Sequence, residues 1–273
     1  MRAMRELADL FGCKPTEDTV HAYRLATDPA EYASRLLRAT STDWLLVDVG
    51  FPEDGTTWDE LGELAGCAAR PILRVESLER EHVRDLVANA RSSGFAALKT
   101  IAAYRGGLAR VQDVVVAALE ANEETGDPLP VQVHTGFGDS DLFLPHADPG
   151  YLKPLIERFR QTPFVLLHCY PFVREAGWLA HVYGNVWFDL SLTLPHVARP
   201  EEMVRQALEL APVSKLLYAS DAARTPELYY VAAKWWREAL ATVLPELLPA
   251  DECESAGRQI LRENAVALYR LES

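Results

Sequence analysis

Apolar residues fall into short runs that alternate with stretches at helical spacing, regularly so from residue 44 onward. The runs at 44–49, 71–75, 95–102, 131–134, 164–168, 186–190 and 215–219 are short, rich in β-branched and aromatic residues, and set off by Gly, Pro or Asn, as buried strands are. Between them the pattern predicts helices at 58–65, 78–91, 108–125, about 149–161, 173–183 and 200–210. In the second of these, Val83, Leu86, Val87 and Ala90 share one face. Two further helices, at 226–244 and 250–269, close the chain. Three helices precede the first strand. The first, at 1–12, lines up Met4, Leu7, Leu10 and Phe11. The second starts at Thr16, and the third covers 28–40 with Asp28 as N-cap and Pro29 in the first turn.

Alternating strands and helices with short connections imply right-handed βαβ units and a parallel sheet. No Gly-x-Gly-x-x-Gly follows the first strand, which weighs against a dinucleotide-binding fold. A closed barrel of such units has eight strands, and the pattern supplies seven. The expectation is a TIM-type α/β barrel, distorted and one strand short, formed by residues 1–273 as a single domain. Open edges at 44–49 and 215–219 would be too apolar to leave bare. The N-terminal helices or a second copy of the chain, as a homo-oligomer, are expected to cover them.

Composition changes this picture only by exclusion. Apolar content of 49% and charged content of 25% are those of a globular protein, and a net charge of −13 argues against nucleic acid or an anionic membrane as partner. A small-molecule substrate is the expected partner. The four cysteines are scattered with no Cys-x-x-Cys, which fits a reducing compartment. The N-terminus has neither the apolar core of a signal peptide nor a membrane-length run, so a cytoplasmic location is expected.

Three of the runs close on a group that can bind metal or move a proton: His134, His168 and Asp221. Carboxyl ends of parallel strands are where α/β folds build their sites. Two imidazoles and a carboxylate suit Zn²⁺ or a similar divalent ion. Lys99 lies inside an apolar strand, where a lysine needs a reason. It could bind a substrate carboxylate, act as a base, be carbamylated, or simply pair with Glu76 or Asp48 inside the barrel. Tyr104 and Arg105 follow on the next loop as candidate substrate contacts; a solvated arginine is the plainer alternative for Arg105. Arg74 and Glu76 are expected to pair with neighbours. His21, His82, His146, His181 and His196 are read as surface or structural.

The segments LKTIAAYRGGL (98–108), VQVHTGFGD (131–139), VLLHCYPFVREAGWLA (165–180), VWFDLSL (186–192), LLYASDA (216–222) and ILRENAVALYRL (260–271), in that order and spacing, resemble the amidohydrolase superfamily. The nearest likeness is to the amidohydrolase-related branch that includes the hydrolase-like half of fungal proteins fused to a glutamine synthetase-like domain. The resemblance runs from about residue 32 to 273. It implies a distorted (β/α)₈ barrel and a metal-dependent hydrolase acting through water activated on the ion. His134 would be a metal ligand, His168 a ligand or catalytic base, and Asp221 a ligand that also handles protons; in the hydrolysis expected from this, His168 would steady the developing oxyanion. Lys99 matches a position carbamylated in some relatives. The family's strand one carries His-x-His, which occurs nowhere in these 273 residues; the run at 44–49 would correspond to the family's strand two, which implies that strand one is absent or replaced. A decarboxylase-type relative and a non-catalytic, ligand- or partner-binding barrel are the alternatives.

Overall fold

A computed structural model describes residues 2–50 and 55–271. Three helices open the chain: α1 (Arg2–Phe11), α2 (Glu17–Ala26) and α3 (Pro29–Arg38). Thr16 caps α2 by accepting from Thr19 N, and Asp28 caps α3 by accepting from the amides of Ala30 and Glu31. Seven parallel strands follow, with helices between them. These are β1 (Trp44–Asp48), α4 (Trp58–Ala65), β2 (Ala68–Arg74), α5 (Val83–Asn89), β3 (Ala97–Thr100), α6 (Asp113–Glu124), β4 (Val131–Thr135), α7 (Lys153–Arg158), β5 (Phe164–His168), α8 (Val173–Val182), β6 (Val186–Asp189), α9 (Pro200–Ala207) and β7 (Leu216–Leu217). Helices α10 (Pro226–Leu247), α11 (Ala250–Arg258) and α12 (Asn264–Tyr269) complete the described fold.

The sheet runs β1-β2-β3-β4-β5-β6-β7, each strand paired in parallel with the next in sequence. This is the distorted barrel the pattern predicts, one strand short among the described residues. Because successive side chains point to opposite faces, each strand splits its residues between two cores. Leu73, Leu98, Val131, Val133, Phe164, Leu166, Val186, Phe188 and Leu216 pack outward against the helices. Ile72, Ala97, Val165, Leu167 and Leu217 pack inward. Burial on both faces is why the strands read as unbroken apolar runs rather than as alternation.

Several elements are shorter than their sequence pattern. The run at 215–219 yields only a two-residue β7. The helix expected at 78–91 is α5 alone, and the one at 108–125 starts as a 3₁₀ turn before α6. Periodicity marks the buried face; it does not fix where the backbone ladder begins.

The seam between β1 and β7 departs most from expectation. The C-terminal helices, not the N-terminal ones, take the exposed edge of β7. A π-helical turn at Gln259–Glu263 sits between α11 and α12. Within it the Ile260 carbonyl accepts from Tyr218 N at 3.0 Å. Asn264 Nδ2 donates to the carbonyls of Val213 and Leu216, at 2.8 and 2.9 Å. A π turn re-aims backbone groups, so a helix can satisfy part of what a missing strand would have paired. Arg262 in that turn reaches Asp43, just before β1, and ties the two sides of the seam. Tyr269 and Leu271 then fill the inward core, where Gln132 Nε2 donates to the Tyr269 hydroxyl at 3.0 Å. The N-terminal helices build a core of their own from Leu7, Ala8, Phe11, Val20, Tyr32 and Leu36, and α3 packs against α4 and α10. No helix among the described residues is long and apolar enough to cross a membrane.

Candidate active site

The site forms where β4 and β5 end side by side, with Thr135 in register with His168. Residue 134 faces inward by the alternation that sends Val131 and Val133 outward. At the end of β5 the chain turns sharply: His168 and Cys169 both have left-handed backbones, φ 66° and 64°. Such conformations cost a non-glycine residue about 1 kcal/mol or more, and they cluster where function requires a side chain to be re-aimed. The adjoining loop is built to fit. Gly136 has φ 69°, and a Cβ there would lie 2.3 Å from the Tyr170 carbonyl. Only glycine allows that approach and the 2.7 Å bond from Phe137 N to the same carbonyl.

The two imidazole rings meet edge-on at 4.5 Å between centroids. His168 Nε2 lies 3.8 Å from Asp221 Oδ2. Burial, and behind it Lys99, holds the His168 pKa well below the ordinary histidine value. Both partners are therefore not charged together at neutral pH, and this contact is not an ion pair. His134 is lowered in the same direction by burial, then by His168 and Lys99. Neutral imidazoles are the form that binds metals. Asp221 lies beyond β7 in a left-handed turn, φ 49°, rather than at the strand end itself. Its side chain keeps 34% of its surface. Desolvation raises its carboxyl, with Lys99 and His134 pulling it back.

Tyr104 belongs to this cluster. Its ring lies 4.7 Å from that of His134, and its hydroxyl accepts from Asp139 N at 2.9 Å. The loop it anchors passes directly over the histidine: a Cβ on Gly138 would sit 1.8 Å from the Tyr104 hydroxyl and 3.0 Å from His134 Nε2. Arg105 does not join. It is exposed, its backbone N–H donates to the Ala102 carbonyl, and its side chain makes no hydrogen bond or ion pair among the described residues, as in the solvated alternative.

Lys99 is buried and its Nζ lies 3.1 Å from Asp48 Oδ2, which is the structural pairing weighed from the sequence. Asp48 also receives Arg74, whose Nε lies 3.2 and 3.1 Å from its two oxygens and whose Nη2 meets Oδ2. One carboxylate thus contacts two cations. Glu76 does not take Lys99; it accepts instead from Thr100 Oγ1 and Ile101 N. Asp189 and Ser191, which sequence reasoning passed over, lie directly behind His168. The His168 Nδ1 to Ser191 Oγ distance is 2.7 Å, and His168 N donates to Asp189 Oδ1 at 2.8 Å. The signal was a carboxylate and a hydroxyl two residues apart at the end of an apolar strand.

Whether these residues suit a divalent ion can be tested on the geometry. His134 Nε2 is buried without a hydrogen-bond partner, an exception in a folded protein that calls for a reason. Two imidazole nitrogens and a carboxylate are the donor types zinc takes. The spacing is more open than a closed coordination shell. Among the described residues, the one set of three potential ligands with donor atoms all within 4.8 Å of one another is the exposed group Glu79, Glu81 and His82. The donor chemistry at His134, His168 and Asp221 fits an ion, and the pocket would have to contract around it.

The profile of the family described as Amidohydrolase matches residues 73–271. The chain belongs to the amidohydrolase family. Over 161 residues, 56% of the chain, it is 37% identical to Protein fluG of Emericella nidulans; the match spans only 19% of that longer protein. The fold superposes on a crystal structure of a Lactobacillus casei protein taken to be a metal-dependent hydrolase, with a TM-score of 0.82 and 27% identity, covering 98% of this chain and 85% of the other. It also superposes on a uronate isomerase from Bacillus halodurans, with a TM-score of 0.72 and 12% identity, covering 100% and 76%. At that identity the second likeness concerns the fold alone. The region matched by the family profile contains Arg74, Lys99, His134, His168, Asp189 and Asp221 but not Asp48.

Proposed function

We propose that the chain hydrolyses an amide, ester or lactone-like bond in a small molecule with the help of one divalent ion, zinc by the donor set. The observation that carries this reading is the pair of buried, neutral imidazoles at 4.5 Å, one with an orphaned Nε2 and the other with its Nε2 facing a carboxylate at 3.8 Å. His134 Nε2, His168 Nε2 and Asp221 would hold the ion. When bound, such an ion polarises a carbonyl and acidifies water.

The chain's own residues do the rest. Asp221, at the mouth of the pocket, takes a proton from the attacking water and returns it to the leaving group; a raised carboxyl pKa suits both directions. Tyr104 and the Gly138–Asp139 backbone cover His134 and keep bulk water from that side. Lys99, held by Asp48, keeps positive charge beside the imidazoles and favours their neutral form.

The open spacing of the donors and the lack of any His-x-His favour one second reading, a barrel that binds a ligand without turning it over. Elemental analysis of the purified chain, with His134→Ala beside it, separates the two. About one divalent ion per chain, lost in the variant, together with hydrolysis of some member of a lactone, ester and amide panel, supports the hydrolase. No retained ion after incubation with zinc, and no turnover, overturns it.

A further inference from the structure

His168 has one ring nitrogen turned to the pocket and one turned inward. What the inner one does fixes what the outer one can do. The inner nitrogen, Nδ1, lies 2.7 Å from Ser191 Oγ, and that hydroxyl donates to Asp189 Oδ1 at 2.7 Å. The same oxygen accepts two backbone amides, His168 N at 2.8 Å and Ser191 N at 3.0 Å. All three residues are essentially sealed, at 1%, 2% and 1% exposure for His168, Asp189 and Ser191, so no bulk water can substitute for a missing partner.

Proton positions follow from counting donors. An oxygen that receives two N–H groups offers lone pairs whether or not the other oxygen of the carboxyl carries a proton. The serine hydroxyl, 2.7 Å from it, must therefore point its single proton there. Turned the other way, it would press two lone pairs together at that distance. With its proton committed, Ser191 Oγ offers only lone pairs to His168, and Nδ1 must carry the hydrogen that joins them. Two contacts oppose this assignment, the first being the Asp221 carboxylate, which faces Nε2 but at 3.8 Å lies beyond hydrogen-bonding distance. Leu192 N–H is aimed at Nδ1 from 3.4 Å and would favour a bare nitrogen. At 3.4 Å it is a weak bond, and the 2.7 Å contact outweighs it.

We propose that Asp189 and Ser191 are positioning residues that lock His168 in its Nδ1–H tautomer, so that Nε2 presents a lone pair to the pocket. A lone pair there accepts; it binds an ion or a proton and cannot donate to an oxyanion. Of the roles expected for His168, this keeps those of ligand and base and removes that of steadying an oxyanion. The Leu192 amide makes the device switchable. Without the serine hydroxyl, the bond from Leu192 N is the best one left to Nδ1, and the ring proton moves to Nε2.

The ligand consequence rests on the proposed function; the tautomer does not. The test uses the metal-free chain with ¹⁵N-labelled histidine, and the His168 signals are assigned by their loss in His168→Gln. Two-bond ¹H–¹⁵N spectra are expected to show Nδ1–H in the native chain and in Ser191→Thr, and Nε2–H in Ser191→Ala. The zinc Kd, measured by competition with a chelator, is expected to rise about 10- to 100-fold in Ser191→Ala and to recover in Ser191→Thr. An Nε2–H tautomer in the native chain overturns the proposal, even if Ser191→Ala proves not to fold. So does an unchanged tautomer in a folded Ser191→Ala. A native Nδ1–H tautomer with no zinc binding would sink the metal reading and leave the lock standing. A switched tautomer with an unchanged zinc Kd would show that the lock does not serve the ion.

Discussion

Asp48 offers the sharpest test of how the pocket is held together, because one carboxylate stands between two cations. Its side chain keeps 14% of its surface, and those of Lys99 and Arg74 keep 10% and 16%, so water screens little of the interaction. Asp48→Asn preserves shape but takes from the buried Lys99 ammonium the carboxylate 3.1 Å away from it, in a desolvated site. Stranding a buried charge costs about 3–5 kcal/mol, which for a chain of this size lowers Tm by roughly 10 °C. Lys99→Met should cost less, on the order of 1–2 kcal/mol, since Asp48 keeps Arg74 and nothing is stranded. The double variant should lose less than the sum of the two, because the residue removed second no longer has its partner. The acid limb gives an independent check. Burial alone would raise the Asp48 carboxyl, but Lys99 and then Arg74 hold it below the usual carboxylate range. A depressed carboxylate contributes stability that is fully present above the unfolded-state pKa of about 4 and is lost as pH falls through the folded value. The gap between native and Asp48→Asn should be flat near neutrality and should close only in acid. The measurement is chemical unfolding of the three variants and the native chain from pH 7 down to about 3. A loss below about 1 kcal/mol for Asp48→Asn, or a larger loss for Lys99→Met, would refute the charge balance on which this account depends.

Two further outcomes follow from single contacts. Asn264→Ala removes both side-chain bonds to the β7 edge and should cost about 2 kcal/mol, with faster hydrogen exchange at Leu217 and Tyr218 than in the α6 amides; uniform exchange would mean that the seam is held by other contacts. Gly138→Ala places a methyl on the Tyr104 hydroxyl and against His134 Nε2. It should displace the loop over the histidine, deprotecting the Asp139 amide and weakening zinc binding at least several-fold, and an unchanged amide and Kd would show that the loop has room to spare.

Alone, the sequence determined the parallel sheet and the order of its strands, because burial on both faces leaves an unbroken apolar run that needs no long-range information to recognise. It also pointed to His134 and His168, since a polar group closing such a run is conspicuous. Asp221 was read as closing a strand, whereas the ladder stops at Leu217 and a left-handed turn delivers the carboxylate. Other features were decided by tertiary structure. Local pattern offered Lys99 several partners, and only the folded barrel selected Asp48 and turned Glu76 to Thr100. Ser191 carries no local mark of a role; β5 and β6 set it behind His168. For the seam, the sequence offered the N-terminal helices, whose apolar stripes are visible in it, or a second copy of the chain. In the fold, a π turn more than forty residues beyond β7 in sequence brings the Ile260 carbonyl to Tyr218 N. Periodicity reports which residues are buried. Which groups meet across the barrel depends on backbone hydrogen bonds and on the angles at which distant segments return, and single-residue patterns do not carry that information.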